Sequence, residues 1–138
     1  MTDLICPFSA PQIKKDYDCC HAEEIVRRGG SEYACQDTAA HTRCLELYGK
    51  LKQACLSAMN LEDDLLSVPH NTWVKIQYGS LLAIHNLLNS SQEKHASIEN
   101  IAALMDQLAS KFSQLDELPF ETIQETVMQY KTKRRSGR

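Results

Sequence analysis

The chain has 138 residues, 43% of them hydrophobic and 24% charged, an ordinary balance for a globular domain that excludes wholesale disorder. Its formal charge is −3, and five of the fifteen Lys and Arg stand in residues 131–138, so the rest of the chain carries −8. So acidic a body speaks against a nucleic-acid surface, which needs clustered cations facing phosphates, and no stretch approaches the ~18 uninterrupted apolar residues of a membrane span.

The start, Met1-Thr2-Asp3-Leu4-Ile5-Cys6-Pro7, lacks the basic and apolar blocks of a secretory signal, so a soluble cytoplasmic protein is expected. Ser9-Ala10-Pro11 reads as a helix start, and Arg27-Arg28-Gly29-Gly30 as the matching stop, with cations in the last turn and glycine beyond it. The first predicted helix therefore covers about residues 10–28. Residues 29–37 form a loop holding Cys35, and Asp37-Thr38 caps a second helix that runs to about Met59 in the register Cys44, Leu47, Leu51, Cys55, Ala58.

A polar link follows, with an acidic turn at Glu62-Asp63-Asp64 and a break at Pro69. Asn71 or Thr72 caps a third helix, apolar around much of its circumference and hence the central, most buried one. Ser97 opens a fourth, whose stripe runs from Ile98 to Leu115, and Pro119 opens a fifth carrying Ile123, Val127 and Tyr130. No segment alternates convincingly as a strand does. The expected fold is all-α, a bundle of about five helices in a single domain over residues 1–130, with a cysteine-rich N-terminal half and a basic flexible tail at 131–138.

All six cysteines, Cys6, Cys19, Cys20, Cys35, Cys44 and Cys55, lie in the first 55 residues. Thiols crowded at one end of a chain without an export signal suggest a metal site rather than disulfides. None of the spacings is the close pair of thiolates from which zinc ribbons and ordinary ferredoxins are built, so the ligands must come from separate elements. Four are proposed: Cys6 on an arm stiffened by Pro7, Cys19 on the first helix, Cys35 in the loop, and Cys44 early in the second helix.

Adjacent helical residues diverge by about 100°, so Cys19 and Cys20 do not serve one centre. Cys19 is preferred because the small Ala22 beside it leaves room for a cofactor, and Cys20 becomes a small core side chain. Cys55 stands about 16 Å along the helix from Cys44 and belongs to the core. His21 or His41 could replace one thiolate.

Four thiolates from distant segments suit an iron–sulfur cluster, [4Fe–4S], because its core is larger than one ion and each iron takes one cysteine. The expectation is a cluster-binding protein in electron transfer or redox sensing, with a protein partner and without catalysis of its own. No phosphate-cradling glycine loop, dinucleotide fingerprint, H-E-x-x-H or G-x-S-x-G pattern occurs. The alternatives are a zinc-stabilised adaptor and a metal-free interaction protein, the latter pairing as a homodimer through its last helices.

Overall fold

The computed structural model describes residues 4–13, 15–62, 68–90 and 98–130. Among them are α1 (Ser9–Ile13), the strands β1 (Ala22–Arg27) and β2 (Gly30–Cys35), α2 (Thr38–Ala58), α3 (His70–Asn89), α4 (Ile101–Lys111), a 3-10 turn (Leu115–Glu117) and α5 (Phe120–Gln129). The basic tail, Ser97, His95 and the acidic pair Asp63-Asp64 lie outside the described residues. Among the described residues no helix is long and apolar enough to cross a membrane.

The fold is mostly helical, but the long first helix does not form. Five residues of α1 end in a left-handed turn at Lys15, whose φ is 65°. That conformation is costly for a residue with a Cβ. Tertiary contacts hold it, since the Lys15 ammonium donates to the Tyr33 hydroxyl at 2.5 Å and pairs with Glu24 at 3.4 Å.

Beyond it, β1 and β2 pair as an antiparallel hairpin in which Ala22 faces Cys35 and Arg27 faces Gly30. Arg28 and Gly29 form its two-residue tip, and Gly30 sits at φ 133°, where only glycine rests without strain. Arg27-Arg28-Gly29-Gly30 is thus a hairpin turn and not a helix stop. The strands carry little sequence signal because the hairpin buries so little: Val26 is 80% exposed, and only Tyr33 and Ala34 of β2 are buried. A strand without one wholly buried face shows no period-two pattern.

The remaining helices follow their sequence signals. The Asp37 carboxylate caps α2 by accepting from the Ala40 N–H, as Asn100 caps α4 by accepting from the Ala102 N–H. Two starts differ: α3 begins at His70 with Pro69 as its N-cap, so Asn71 and Thr72 lie inside the helix and do not cap it, and Pro119 is the N-cap of α5 and not its first helical residue. α4 is shorter than its apolar stripe implied, because Phe112 turns extended and Leu115 falls in the 3-10 turn.

Helix α3 is central. It packs against α1, α2, α4 and α5, and buries an unbroken run from Tyr78 to Ile84. Its closest neighbour is α5, and Gly79 makes that approach: a Cβ there would stand 2.8 Å from the Val127 Cα. Gly79→Ala must push two backbones apart, and we expect a loss of about 1–3 kcal/mol, read as a lower urea midpoint. A midpoint equal to that of the unmodified chain would refute so tight a contact.

Candidate functional site

The amino-terminal arm is positioned first. Its backbone lies along β2, with the Cys6 N–H donating to the Tyr33 carbonyl at 2.8 Å and the Cys35 N–H donating to the Leu4 carbonyl at 2.7 Å. With Ile5 opposite Ala34, Cys6 falls opposite Tyr33 and Cys35 opposite Leu4, so the two cysteines lie on one face of this pairing, diagonally two positions apart. Cys35 closes β2 rather than floating in a loop, and two residues later Asp37 starts α2, which carries Cys44 within its second turn.

Cys19 arrives by a different route. Residues 17–19 are not helical and lead into a turn at Cys20-His21, closed by the Ala22 N–H donating to the Cys19 carbonyl at 3.1 Å, and the segment is clasped by the start of α4. The Asp18 N–H donates to the Ile98 carbonyl at 2.9 Å, the Ile101 N–H to the Asp18 carbonyl at 2.7 Å, and the Cys20 N–H to Asn100 Oδ1 at 3.0 Å. The argument that a helix forces a choice between Cys19 and Cys20 therefore fails with that helix. The turn nevertheless sets the two apart: Cys19 lines an internal pocket and Cys20 is exposed, not a core residue.

Cys6, Cys19, Cys35 and Cys44 all line that one pocket, with Ala22, His21, His41, Arg43, Ile101 and Ala102. Its accessible wall is apolar, and the cavity measures about 20 Å³, room for about one water molecule. Cys55 is apart, 1% exposed within the core. Among the described residues, no three His, Cys, Asp or Glu side chains are arranged to hold a metal ion as they stand.

Burial dominates the thiol chemistry. It pushes Cys6 up to about 11 and Cys44 up to about 12, and raises Cys19 as well. The four sulfurs also feel one another. A thiolate at Cys19 or Cys35 lifts Cys6, and one at Cys6, Cys19 or Cys35 lifts Cys44. In the metal-free protein burial thus favours the neutral thiol at Cys6, Cys19 and Cys44, and the Cys35 S–H donates to the Asp37 carbonyl at 3.2 Å.

Donors oppose that tendency. The Phe8 N–H and the Gln12 side-chain amide, at 3.2 Å, both point at the Cys6 sulfur. Cys19 receives the N–H groups of His21 and Ala102, the latter from the first turn of α4. Arg43 lowers its neighbour Cys44. Every one of these groups favours negative sulfur, and the first turns of α2 and α4 add the positive ends of two helix dipoles.

Of the two histidines considered as substitutes for a thiolate, His41 is engaged at Nε2, which with its proton there donates to the Ile5 carbonyl at 3.0 Å. His21 lines the wall beside Ala22. Sequence reasoning did not reach Gln12, Arg43 or the α4 terminus, all of which touch the site or its sulfurs. None carries a local signal, since each is brought there by packing between residues distant in the chain.

Compared with protein-family models, with curated proteins and with solved structures, the chain matches none of them.

Proposed function

We propose that the chain binds an iron–sulfur cluster, [4Fe–4S], through Cys6, Cys19, Cys35 and Cys44, and works in electron transfer or redox sensing with a protein partner. The observation that carries this reading is the lining of one apolar pocket by four thiols from four separate segments, while the two other cysteines stand elsewhere. Four soft donors suit a polynuclear core, each iron taking one cysteine. The donor set agrees with its charge. A cluster with four thiolates is anionic, and the backbone N–H groups of Phe8, His21 and Ala102, the Gln12 amide and Arg43 are all cationic or hydrogen-bond donors.

Zinc would be held by the same sulfurs only if they closed to about 2.3 Å from a single ion. The arm and the Cys19 segment are each pinned by backbone hydrogen bonds.

Anaerobic reconstitution with iron and sulfide tests the reading. The expected product is brown, with broad visible absorption that bleaches on reduction and with iron and sulfide in the ratio of a [4Fe–4S] centre. Folded protein that stays colourless and free of iron and sulfide after this treatment would end the proposal. Stoichiometric zinc in the same preparation would replace it with the zinc-stabilised adaptor.

A further inference from the structure

Strand β1 is the outer strand of its sheet. The arm flanks β2 on one side through Leu4 and Cys6, and among the described residues no strand lies beyond β1 on the other. Residues of an antiparallel pair alternate between those that exchange backbone bonds and those that turn both groups away. Tyr33 and Cys35 give their carbonyl and N–H to the arm, so their partners Glu24 and Ala22 face away from β2, and by the same alternation so does Val26. The Ala22 N–H goes to the Cys19 carbonyl. Glu24 and Val26 thus direct both backbone groups to the open edge, where among the described residues no backbone group meets them.

The side chains of this strand are uncovered too. None of those described in β1 is buried, and Val26 is 80% exposed. An open edge carrying β-branched residues is a template for another strand.

The strand is also complementary to itself. Turned about a two-fold axis at Ile25, Ala22-Glu23-Glu24-Ile25-Val26-Arg27 sets Glu24 opposite Val26 of a second copy, so that their outward N–H and carbonyl groups exchange bonds. The same register sets Ile25 opposite Ile25 and Glu23 opposite Arg27, a β-branched pair flanked by two pairs of opposite charge, all favourable across strands. Glu24 already pairs with Lys15 in its own chain, so it brings no unmet charge beside Val26. Other registers are worse. An axis at Glu24 opposes like charges, and one at Val26 runs Arg28 and Gly29 of the turn into the pairing.

We propose that two copies of this chain associate through β1, edge to edge and antiparallel about Ile25, into a continuous four-stranded sheet. This is independent of the cluster reading. A ribbon so short belongs to the small, transient class of interfaces, below about 1,200 Å², so monomer and dimer exchange with concentration.

Sedimentation equilibrium of the full chain tests this, with reductant present so that exposed Cys20 does not cross-link copies. The unmodified protein should pass from monomer towards dimer between about 10 μM and about 1 mM, affinities that suit so small a contact. E23R puts like charges opposite each other twice and should weaken the dimer about tenfold, and E23R/R27E, which restores opposite charges, should recover it. V26P removes an N–H that β2 does not use and should leave monomer only. Circular dichroism checks that each variant is folded, and if V26P is not, the charge exchange decides. Monomer throughout the range, or a dimer that E23R leaves unchanged, would overturn the proposal.

Discussion

Serine at any one of Cys6, Cys19, Cys35 or Cys44 is expected to abolish retention of the centre, whereas serine at Cys20 leaves it intact. The first four cysteines line the same pocket, and Cys20 is exposed and not part of its lining. Exchanging sulfur for oxygen removes a soft, ionisable donor from a site that three thiolates hold poorly. The fall in iron per chain should exceed the roughly 10–100-fold that losing an outer-shell partner costs.

The metal-free variants should still fold. A hydroxyl buried at Cys6 or Cys44 costs about 1–3 kcal/mol if unpaired, less than a domain of this size has in hand. Iron content and helicity are therefore read together for each variant. Full iron in two or more of the four single variants would remove the assignment, whatever their stability. Cys55→Ala serves as a packing control, since Cys55 lies in the core and away from the pocket.

The second large effect is an alkaline limit that differs between metal-free and loaded protein. Burial raises Cys6 to about 11 and Cys44 to about 12 from an ordinary value of 9.0, and Cys55 to about 11. A group raised in the folded state contributes stability that is complete below its unfolded value and is lost as pH rises through its folded value. The metal-free chain should thus hold its stability to about pH 9 and weaken progressively towards pH 12. Holding a proton through one further pH decade is worth ~1.4 kcal/mol to the folded state, so the loss approaches the whole stability of a small domain, roughly 5–15 kcal/mol.

Loading changes the native state, because ligated sulfurs have already given up their protons. The contributions of Cys6 and Cys44 then vanish from the alkaline side, and the decline should be shallower. Buried Tyr130, pushed up to about 12, and the raised Tyr17 and Tyr78 weaken both forms alike and cancel in the comparison. Urea midpoints from about pH 8 to about pH 11 measure the difference. Superimposable profiles for the two forms would show that these thiols do not carry the centre.

Much of the helical framework was legible in the sequence. Asp37 before the register of α2 and the all-round apolar character of α3 are local signals, and local signals survive without tertiary knowledge. The hairpin was not legible. Its β1 strand, Ala22-Glu23-Glu24-Ile25-Val26-Arg27, shows no buried face, so the pattern that would have announced a strand is missing. Ile25-Val26 followed by a Gly-Gly pair was the one available hint.

For the pocket, spacing and packing sense separated the four sulfurs that line it from Cys20 and Cys55, although Cys19 was preferred on a helix that does not exist. The reason that survives is local: Ala22, small, does stand on the pocket wall. Arg43 and the first turn of α4 were beyond reach, because a residue after position 100 facing a cysteine before position 20 leaves no trace in either segment alone.

That last juxtaposition constrains how the protein is made. The backbone clasp between Asp18 and the Ile98–Ile101 stretch joins residues some 80 positions apart, so a nascent chain that has emerged only as far as Cys55 holds all six cysteines yet has no wall behind Cys19. Domains form as units once enough of the chain is free. On the proposed cluster reading, iron and sulfide would be delivered late in biosynthesis, and loss of α4 by truncation would leave the thiols in place but open on one side.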